Sequence, residues 1–308
     1  AGDGGIHSPG GVWWLSPDIK LTGATSGADQ ADPGASNTVE VFAHMKSGDC
    51  KTRASESVTV EVWAANPSLV MTPDNPASAV KVGGLGMPTP APGTAASVQF
   101  GWTPPSGLPP EDPQGRGHKC LIARCYPEAL VPSAEEFFVP DDQHVAQRNI
   151  CVVPCGAPGA ARVPGPCGQE VTTVNPRNER QSVTLRAEFD AKPSKHTSAV
   201  VLERLRRTEG FVRLAEEPPQ SFRITLRAFP KAEFSRGARG GCLGQLLGFK
   251  AQPGFDAYIT LEPKQLIRFD FNADLTGSPL GDAYIFHLTQ VGTDGRTQGG
   301  LTVVMLAV

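Results

Sequence analysis

Glycine and proline interrupt this sequence so often that long helices are excluded. The 308 residues include 34 Gly and 29 Pro, roughly a fifth of the chain against an ordinary background of about an eighth. Proline breaks a helix interior because it lacks a backbone N–H and clashes with the preceding turn. Between these breakers lie short runs in which apolar and polar residues alternate. The sequence therefore predicts short strands joined by many turns.

The alternating runs fall into two series. The first contains Val39–Met45, Ser57–Trp63, Ser97–Trp102, Cys120–Arg124 and Asn149–Val153. The second contains Ser182–Phe189, Ala199–Leu205, Phe222–Phe229, Phe255–Leu261, Gln265–Phe271, Ala283–Thr289 and Leu301–Leu306. Residues 66–93 and 104–117 are predicted as long loops because Pro and Gly are frequent there, and Ser133–Phe137 as one helical turn, because Ser133 and Glu136 have the spacing of a capping box.

A change in composition separates the two series. Residues 156–169 are rich in Gly, Pro and Ala and are predicted as a linker, between a first domain over residues 1–155 and a second over residues 170–308. A chain of this length is long enough for two domains that each bury a core. Several short strands with regular turn signals are typical of an antiparallel sandwich. The predicted fold class is therefore all-β, with two antiparallel β-sandwich domains in tandem.

Six segments of the first half carry a family resemblance. They are WWLSPDI (13–19), TVEVFAHMKSGDC (38–50), VTVEVWAANPSL (58–69), VQFGWTPP (98–105), GHKCLIARC (117–125) and VAQRNICVV (145–153). Together they resemble the Ig-like, CARDB-type β-sandwich modules of secreted and cell-surface bacterial proteins, over about residues 10 to 155. The resemblance implies an Ig-like sandwich outside the cell. It implies no catalytic residue, because such modules are mostly accessory, adhesive or structural.

Seven cysteines are present, and none of their spacings is that of a zinc or haem motif. Disulfides in an oxidising compartment and buried thiols remain as interpretations, and the sequence favours disulfides. Cys155 and Cys167 flank a Gly/Pro/Ala loop, and a bridge there would remove about 3 kcal/mol of loop entropy. Cys50 with Cys120 is a second candidate pair, and Cys125 with Cys151 follows by elimination. Cys242 is left over, as a free, buried or intermolecularly paired thiol.

Charge and motifs exclude several functions. The net charge of −3 and the pI near 6.1 give no electrostatic footprint for nucleic acid or an anionic membrane, and no run of about 18 apolar residues suggests a membrane span. The HExxH, GxSxG, P-loop and EF-hand signatures do not occur. An enzyme would need a constellation that only the fold assembles, for example His118, His144 and Asp141. His287 is interpreted as a hydrogen-bonded strand histidine.

Two groups of side chains are weak binding candidates. Asp270, Asn272 and Asp274 could offer oxygens to calcium, but Leu275 and Gly281 replace the Gly and Glu of an EF-hand, so a solvated strand face is the favoured alternative. Trp13, Trp14 and Trp63 could present rings to a glycan or a protein. The alternative is that these rings pack inside the molecule.

The sequence therefore predicts a secreted or cell-surface, non-enzymatic structural protein without a cofactor. Exposed strand edges would build a fibre, layer or shell, so its partners would be other copies of itself, or other surface proteins and glycans. A monomeric adhesion module, which would hold a glycan or a protein with Trp13, Trp14 or the long Pro-rich loops, is the alternative. A hydrolase with a fold-assembled site is the third hypothesis.

Overall fold

The computed structural model describes residues 12–45, 56–65, 67–74, 78–104, 120–132, 139–142, 144–156, 163–206, 211–226 and 255–308. The strands of the first half are β1 (Ile19–Gly23), β2 (Gly27–Ala28), β3 (Asn37–His44), β4 (Ser57–Ala65), β5 (Val80–Pro88), β6 (Ala95–Trp102), β7 (Cys120–Pro127) and β8 (Val145–Arg148). Those of the second half are β9 (Ile150–Cys155), β10 (Pro166–Val174), β11 (Gln181–Phe189), β12 (Arg213–Leu214), β13 (Ser221–Leu226), β14 (Phe255–Leu261), β15 (Leu266–Asp274), β16 (Asp282–Gly292) and β17 (Thr297–Ala307). One α-helix, α1, spans Lys195–Leu205, and two 3-10 turns span Glu128–Leu130 and Val139–Asp141.

The first sandwich consists of two four-stranded sheets. Sheet 1 has the order β2-β1-β3-β6 and sheet 2 the order β5-β4-β7-β8, and all their pairings are antiparallel. Alternate residues of β3 and β4 point into the space between the sheets. Val39, Val41, Val58, Val60 and Val62 are all buried there. The apolar residues of the alternating sequence therefore form the buried face of each strand, and the residues between them form its other face.

The second sandwich faces a three-stranded sheet 3 (β10-β15-β13) against a five-stranded path, β14-β11-β16-β17-β9, of sheet 4, in which β12 also pairs with β16. Phe269, Phe271 and Phe286 are fully buried between these sheets. The prediction of an all-β chain built mainly from antiparallel sheets is confirmed. The pairing of β9 with β17 is parallel, which the sequence did not predict.

The chain passes from the first sandwich to the second at Asn149. β8 belongs to sheet 2, and β9 starts one residue later in sheet 4. Residues 150–155, which were assigned to the first domain, therefore pair within the second sandwich, and residues 166–169 of the predicted linker belong to β10. The Gly/Pro-rich composition marks the loop between Cys155 and Cys167. The chain changes sheet earlier, at Asn149, as the strand pairings show.

Two local predictions were wrong. Ala199–Leu205 was expected as a strand, but it lies in helix α1, where the Ser194 side chain accepts a hydrogen bond from the Thr197 backbone. Thr197, Val201 and Leu205 share one buried helix face at a spacing of four residues. Residues 80–88, expected within a long loop, form β5. The predicted turn Ser133–Phe137 lies outside the described residues.

A third buried cluster covers the outer face of sheet 4. Trp14 and Leu15 pack there with Val201 and Leu205 of α1, against Val304 of β17.

Among the described residues, no helix is long and apolar enough to span a membrane.

Candidate functional site

The best-defined site is the junction between the two sandwiches. Three features build it: a strap of residues 67–72 from the β4–β5 connection, the segment around Trp14, and a polar centre at Asn149. Each comes from the first half of the chain and contacts strands of the second.

The strap forms one extra strand element beside sheet 3. Ser68 makes a parallel bridge to Thr172, with hydrogen bonds from Leu69 N to Thr172 O (2.9 Å) and from Thr172 N to Pro67 O (2.8 Å). Leu69, Val70 and Met71 are buried in the core of the second sandwich. The first half of the chain therefore supplies part of the second core.

Glycines of β17 allow the junction to close. A Cβ at Gly299 would lie 2.8 Å from Val70 Cγ2, and a Cβ at Gly300 would lie 2.7 Å from Trp14 Cε2, closer than Cβ atoms approach other atoms. Only glycine lets the strap and the indole lie against the strand.

Trp14 is anchored by its polar edge as well as by packing. Its Nε1–H donates to Thr302 Oγ1 at 3.0 Å. Thr302 Oγ1 lies 3.1 Å from His287 Nδ1, and His287 Nε2 lies 2.9 Å from Asp190 Oδ2. Chiefly because His287 hydrogen-bonds it, Asp190 has a pKa below its usual value. His287 is thus a hydrogen-bonded strand histidine, as predicted.

A hydroxyl, an imidazole and a carboxylate in a row resemble a catalytic triad, but this row is closed to solvent at its hydroxyl. Thr302 is fully buried, and its oxygen already accepts the Trp14 hydrogen bond. A nucleophile must reach its substrate. This row therefore holds Trp14 in place and has no access to a substrate.

Asn149 is the polar centre of the junction. Its Nδ2 donates to Ser68 O at 2.6 Å and to Gly300 O at 2.5 Å, and its Oδ1 contacts Cys120 Sγ. The residue is fully buried. One amide therefore ties the strap, β17 and β7 together at the point where the chain changes sandwich.

An ion pair closes the other side of the junction. Arg148 Nη2 lies 2.6 Å from Asp29 Oδ2, with both side chains largely buried, and Arg148 Nη1 donates to Ser16 O at 3.2 Å. Helix α1 adds a contact from His196 Nε2 to Leu15 O at 2.8 Å. Removing one partner of such a pair would leave a buried charge uncompensated.

For two of the three tryptophans, the structure shows packing inside the molecule, which was the alternative to a binding surface. Trp14 and Trp63 are buried, with 5% and 1% of their surface exposed, so neither presents a ring to a glycan. Trp63 does point away from the Val58, Val60 and Val62 face, but the second core covers it. Trp13 is half-buried and packs edge-on to Trp14, with ring centroids 5.7 Å apart.

The structure joins Cys155 and Cys167 in a disulfide, with Cα atoms 5.0 Å apart, as the loop between them predicted. Cys125 is a free thiol, so the predicted Cys125–Cys151 bridge is wrong. The two residues belong to different cores, because Cys125 packs in the first sandwich and Cys151 in the second. Burial raises the pKa of Cys125 to about 11.

Two cysteines of the predicted set lie outside the described residues. They are Cys50, the proposed partner of Cys120, and Cys242. The Cys50–Cys120 pair stays a prediction.

The hydrolase hypothesis rested on His118, His144 and Asp141. His118 and the side chain of Asp141 lie outside the described part of the structure. His144 Nδ1 instead lies 3.0 Å from Asp142 Oδ1, and its ring stacks on Tyr126 at 4.9 Å. Burial raises the pKa of Asp142, but hydrogen bonds from Tyr126 and from the backbone and ring of His144 outweigh it, so the pKa lies below its usual value.

Asp270, Asn272 and Asp274 alternate along β15 on its outward face. Alternate residues of a strand are about 7 Å apart, so their oxygens do not converge on one ion. Asn272 folds over Gly168 of the neighbouring strand. Across the described ranges, no group of three or more His, Cys, Asp or Glu side chains is placed to hold a metal ion. The geometry favours the solvated strand face over the calcium candidate.

Comparisons with known proteins give little beyond this geometry. No protein-family model matches the chain, and no curated protein matches it. Among solved structures, the chain is similar to the collagen adhesin of S. aureus at 7% identity and a TM-score of 0.25, covering 94% of this chain and 93% of that one. It is also similar to a structure of manganese lipoxygenase of Gaeumannomyces graminis with part of zonadhesin of Komagataella pastoris, at 11% identity and a TM-score of 0.23, covering 94% of both chains. We base no argument on similarities this weak.

Sequence reasoning missed the junction itself. Asn149 and Gly300 are 151 residues apart, and no local pattern relates them. The signals that were available are the paired glycines within the alternating run of β17 and the apolar residues Leu69 to Met71 inside a stretch assigned to a loop. Both indicate backbone or side chains that pack closely against another segment.

Proposed function

We propose that this protein is a non-enzymatic structural protein of the extracellular space or cell surface, and that it works as a rigid building block of a larger assembly. The observation that carries the proposal is the fused junction. Because the strap of residues 67–72 completes the second core, the two sandwiches cannot move independently without exposing Leu69, Val70 and Met71. A fixed geometry between two modules is what a repeating assembly requires.

Two further observations support the proposal. The Cys155–Cys167 disulfide fits an oxidising compartment, where such bridges persist. The histidines His44, His144 and His287 are each held by an aspartate, at 2.7, 3.0 and 2.9 Å, and the most triad-like of these pairs is closed to substrate. These side chains therefore serve internal contacts.

The adhesion alternative loses part of its basis. It relied on exposed tryptophans or on the long Pro-rich loops; Trp14 and Trp63 are buried, and residues 105–117 of those loops lie outside the described residues. A protein partner could still dock elsewhere on the surface, and a chain that stays monomeric in the experiment below would favour that alternative.

Light scattering with negative-stain microscopy, at several concentrations of the untagged, oxidised protein, tests the proposal. We expect ordered oligomers, filaments, layers or shells that grow with concentration. A monomer of 32.5 kDa at every concentration would refute the assembly role and favour a monomeric adhesion module. As a control, the same series with Gly300→Ala should assemble poorly if a fixed junction is required.

A further inference from the structure

Strand β6 lies at the open edge of sheet 1. It spans Ala95–Trp102, with the sequence AASVQFGW, and among the described residues it pairs with β3 only. Ala95, Ser97, Gln99 and Gly101 are exposed. An edge strand of this length with no charged residue and no proline is a template for another strand.

The other sheet ends of the described structure carry protection against such pairing. β2 has only two residues, β8 is bridged by Leu15, and β10 is bridged by Ser68 of the strap. The remaining ends carry charged residues, a proline or a register shift: Lys81, Pro88 and the shift at Val62/Trp63 for β5, Arg223 for β13, Asp256 for β14 and Pro154 for β9. Natural sheets use these devices to prevent edge pairing. β6 alone among these ends lacks all of them.

The direction of the free backbone groups follows from the neighbouring bonds. Phe42 N bonds to Asp18 O before β1, and Met45 N bonds to Thr94 O before β6. In an antiparallel ladder, alternate residues bond to opposite neighbours. Val41 therefore bonds towards β6, opposite Val98, and the N–H and C=O groups of Ser97 and Gln99 point to the open edge.

Gly101 is a second, independent sign of a partner. A Cβ there would have nothing within 4 Å, and its φ is not in the left-handed region. Neither packing nor backbone conformation within the described residues requires a glycine, although glycine weakens a strand. Glycine in a strand often marks a bulge, a tight bend or a place where another backbone approaches closely. The register of β6 with β3 has no bulge at Gly101, so close approach of another backbone fits this edge position.

We propose that β6 pairs antiparallel with β6 of a second copy of this chain, across a twofold axis near Val98. This inference rests on the proposed function, and it names the first contact of the assembly. A twofold contact places a strand against itself, so any charge on it would face or neighbour the same charge. The uncharged sequence of β6 removes that repulsion from the strand itself. The nearby carboxylate of Glu40 on β3 accepts hydrogen bonds from Ser97 and Gln99.

The register centred on Val98 is self-complementary. It pairs Ser97 with Gln99 and Ala95 with Gly101. Each pair therefore contains a small residue, Ser97 or Gly101, and no two large side chains face each other. It also uses the outward backbone groups of those four residues, which form the hydrogen-bonded pairs of such a ladder. Leu85 lies on β5, the edge strand of sheet 2 that contacts β6, and is 45% exposed. Its burial would add apolar contact.

A contact of one strand pair is small compared with the roughly 1,200–2,000 Å² buried in stable interfaces. We therefore expect a dissociation constant in the micromolar range, and dimers that form at tens to hundreds of micromolar protein. Ser97→Lys with Gln99→Lys would place four ammonium groups across the axis, and we expect the dissociation constant to rise at least tenfold. Thr22→Lys, on the outward face of an interior strand of the same sheet, is the matched control.

Sedimentation equilibrium of the wild-type chain and both variants, with circular dichroism to verify folding, tests the inference. Loss of the dimer in the double lysine variant and its retention in Thr22→Lys supports the pairing. Equal dimers in all three proteins would overturn the β6 contact and leave the assembly role intact. A β6-dependent dimer that never grows further would support the contact and refute the larger assembly, whereas a monomeric wild type would refute both.

Discussion

Replacement of Gly300 by alanine tests whether the two sandwiches depend on their junction. The added Cβ would lie 2.7 Å from Trp14 Cε2 and closer still to Cδ2 and Cε3, whereas carbon atoms pack at about 3.5–4.0 Å. The indole would have to move by about 1 Å, which strains its hydrogen bond to Thr302. Overpacking costs about 1–3 kcal/mol and a lost hydrogen bond about 0.5–1.5 kcal/mol. We expect Gly300→Ala to lower the free energy of unfolding by about 2–4 kcal/mol.

Urea denaturation followed by tryptophan fluorescence measures this change as a lower midpoint at constant slope. Gly101→Ala is the matched control, since a Cβ there has nothing within 4 Å, and alanine in a strand is favoured over glycine by about 0.5–1 kcal/mol.

A double-mutant cycle with Trp14→Ala locates the clash. Truncating this buried indole should cost about 3–5 kcal/mol alone, and Gly300→Ala should then add little because the ring is gone. If Gly300→Ala is as mild as Gly101→Ala, or if its effect adds fully to that of Trp14→Ala, the packing argument is refuted.

Three further outcomes are expected. Replacing Cys155 and Cys167 by serine should lower the free energy of unfolding by about 3 kcal/mol through loop entropy, measured by urea denaturation, and an unchanged midpoint would show that the bridge contributes nothing. Because the pKa of Asp190 is lowered by His287, its unfolded state binds more protons; the stability from this pair is present above about pH 4 and lost as pH falls through the lowered value. The stability difference between wild type and Asp190→Asn should therefore shrink on acidification, and a constant difference from pH 6 to 3 would contradict this. Since burial raises the pKa of Cys125 to about 11, iodoacetamide at pH 8 should label it about 100-fold more slowly in the native than in the urea-unfolded protein, read by peptide mass spectrometry.

The sequence could predict the strands whose two faces meet different surroundings. In β4, Val58, Val60 and Val62 alternate with residues of the opposite face, and the run was assigned correctly. The burial of Trp63 on that opposite face was not predictable, because the residues that cover it belong to the second core. Period-two alternation records that a face exists, but it does not record which distant segment packs on it.

Helix α1 shows how a local pattern can mislead. Val200 and Val201 are β-branched residues typical of strands, and they suggested one. The cap at Ser194 and the spacing of Thr197, Val201 and Leu205 favoured a helix, and packing on Trp14 and Leu15 stabilises it. Tertiary contacts outweighed the preference of the β-branched residues.

The tryptophan surface was not found for a related reason. Trp14 was a candidate surface ring, yet it is buried and its Nε1–H donates to Thr302 across the junction. Polar residues at a junction between two domains have the same composition as those of a binding site. Only the distances between their atoms separate the two cases.

The parallel pairing of β9 with β17 has a consequence for the order in which the chain is made. Asn149 emerges from the ribosome 151 residues before Gly300, an interval of roughly 8 to 30 s at ordinary rates of synthesis. During that time the first sandwich can form its two sheets and the strap can meet β10, whereas β9 lacks β17, its partner in sheet 4. The core that buries the strap stays incomplete until residues 297–307 arrive. The second sandwich therefore cannot complete its fold before residues 297–307 have been synthesised, and a chaperone that covers Leu69 to Met71 during this interval would determine how much of the protein reaches its native state.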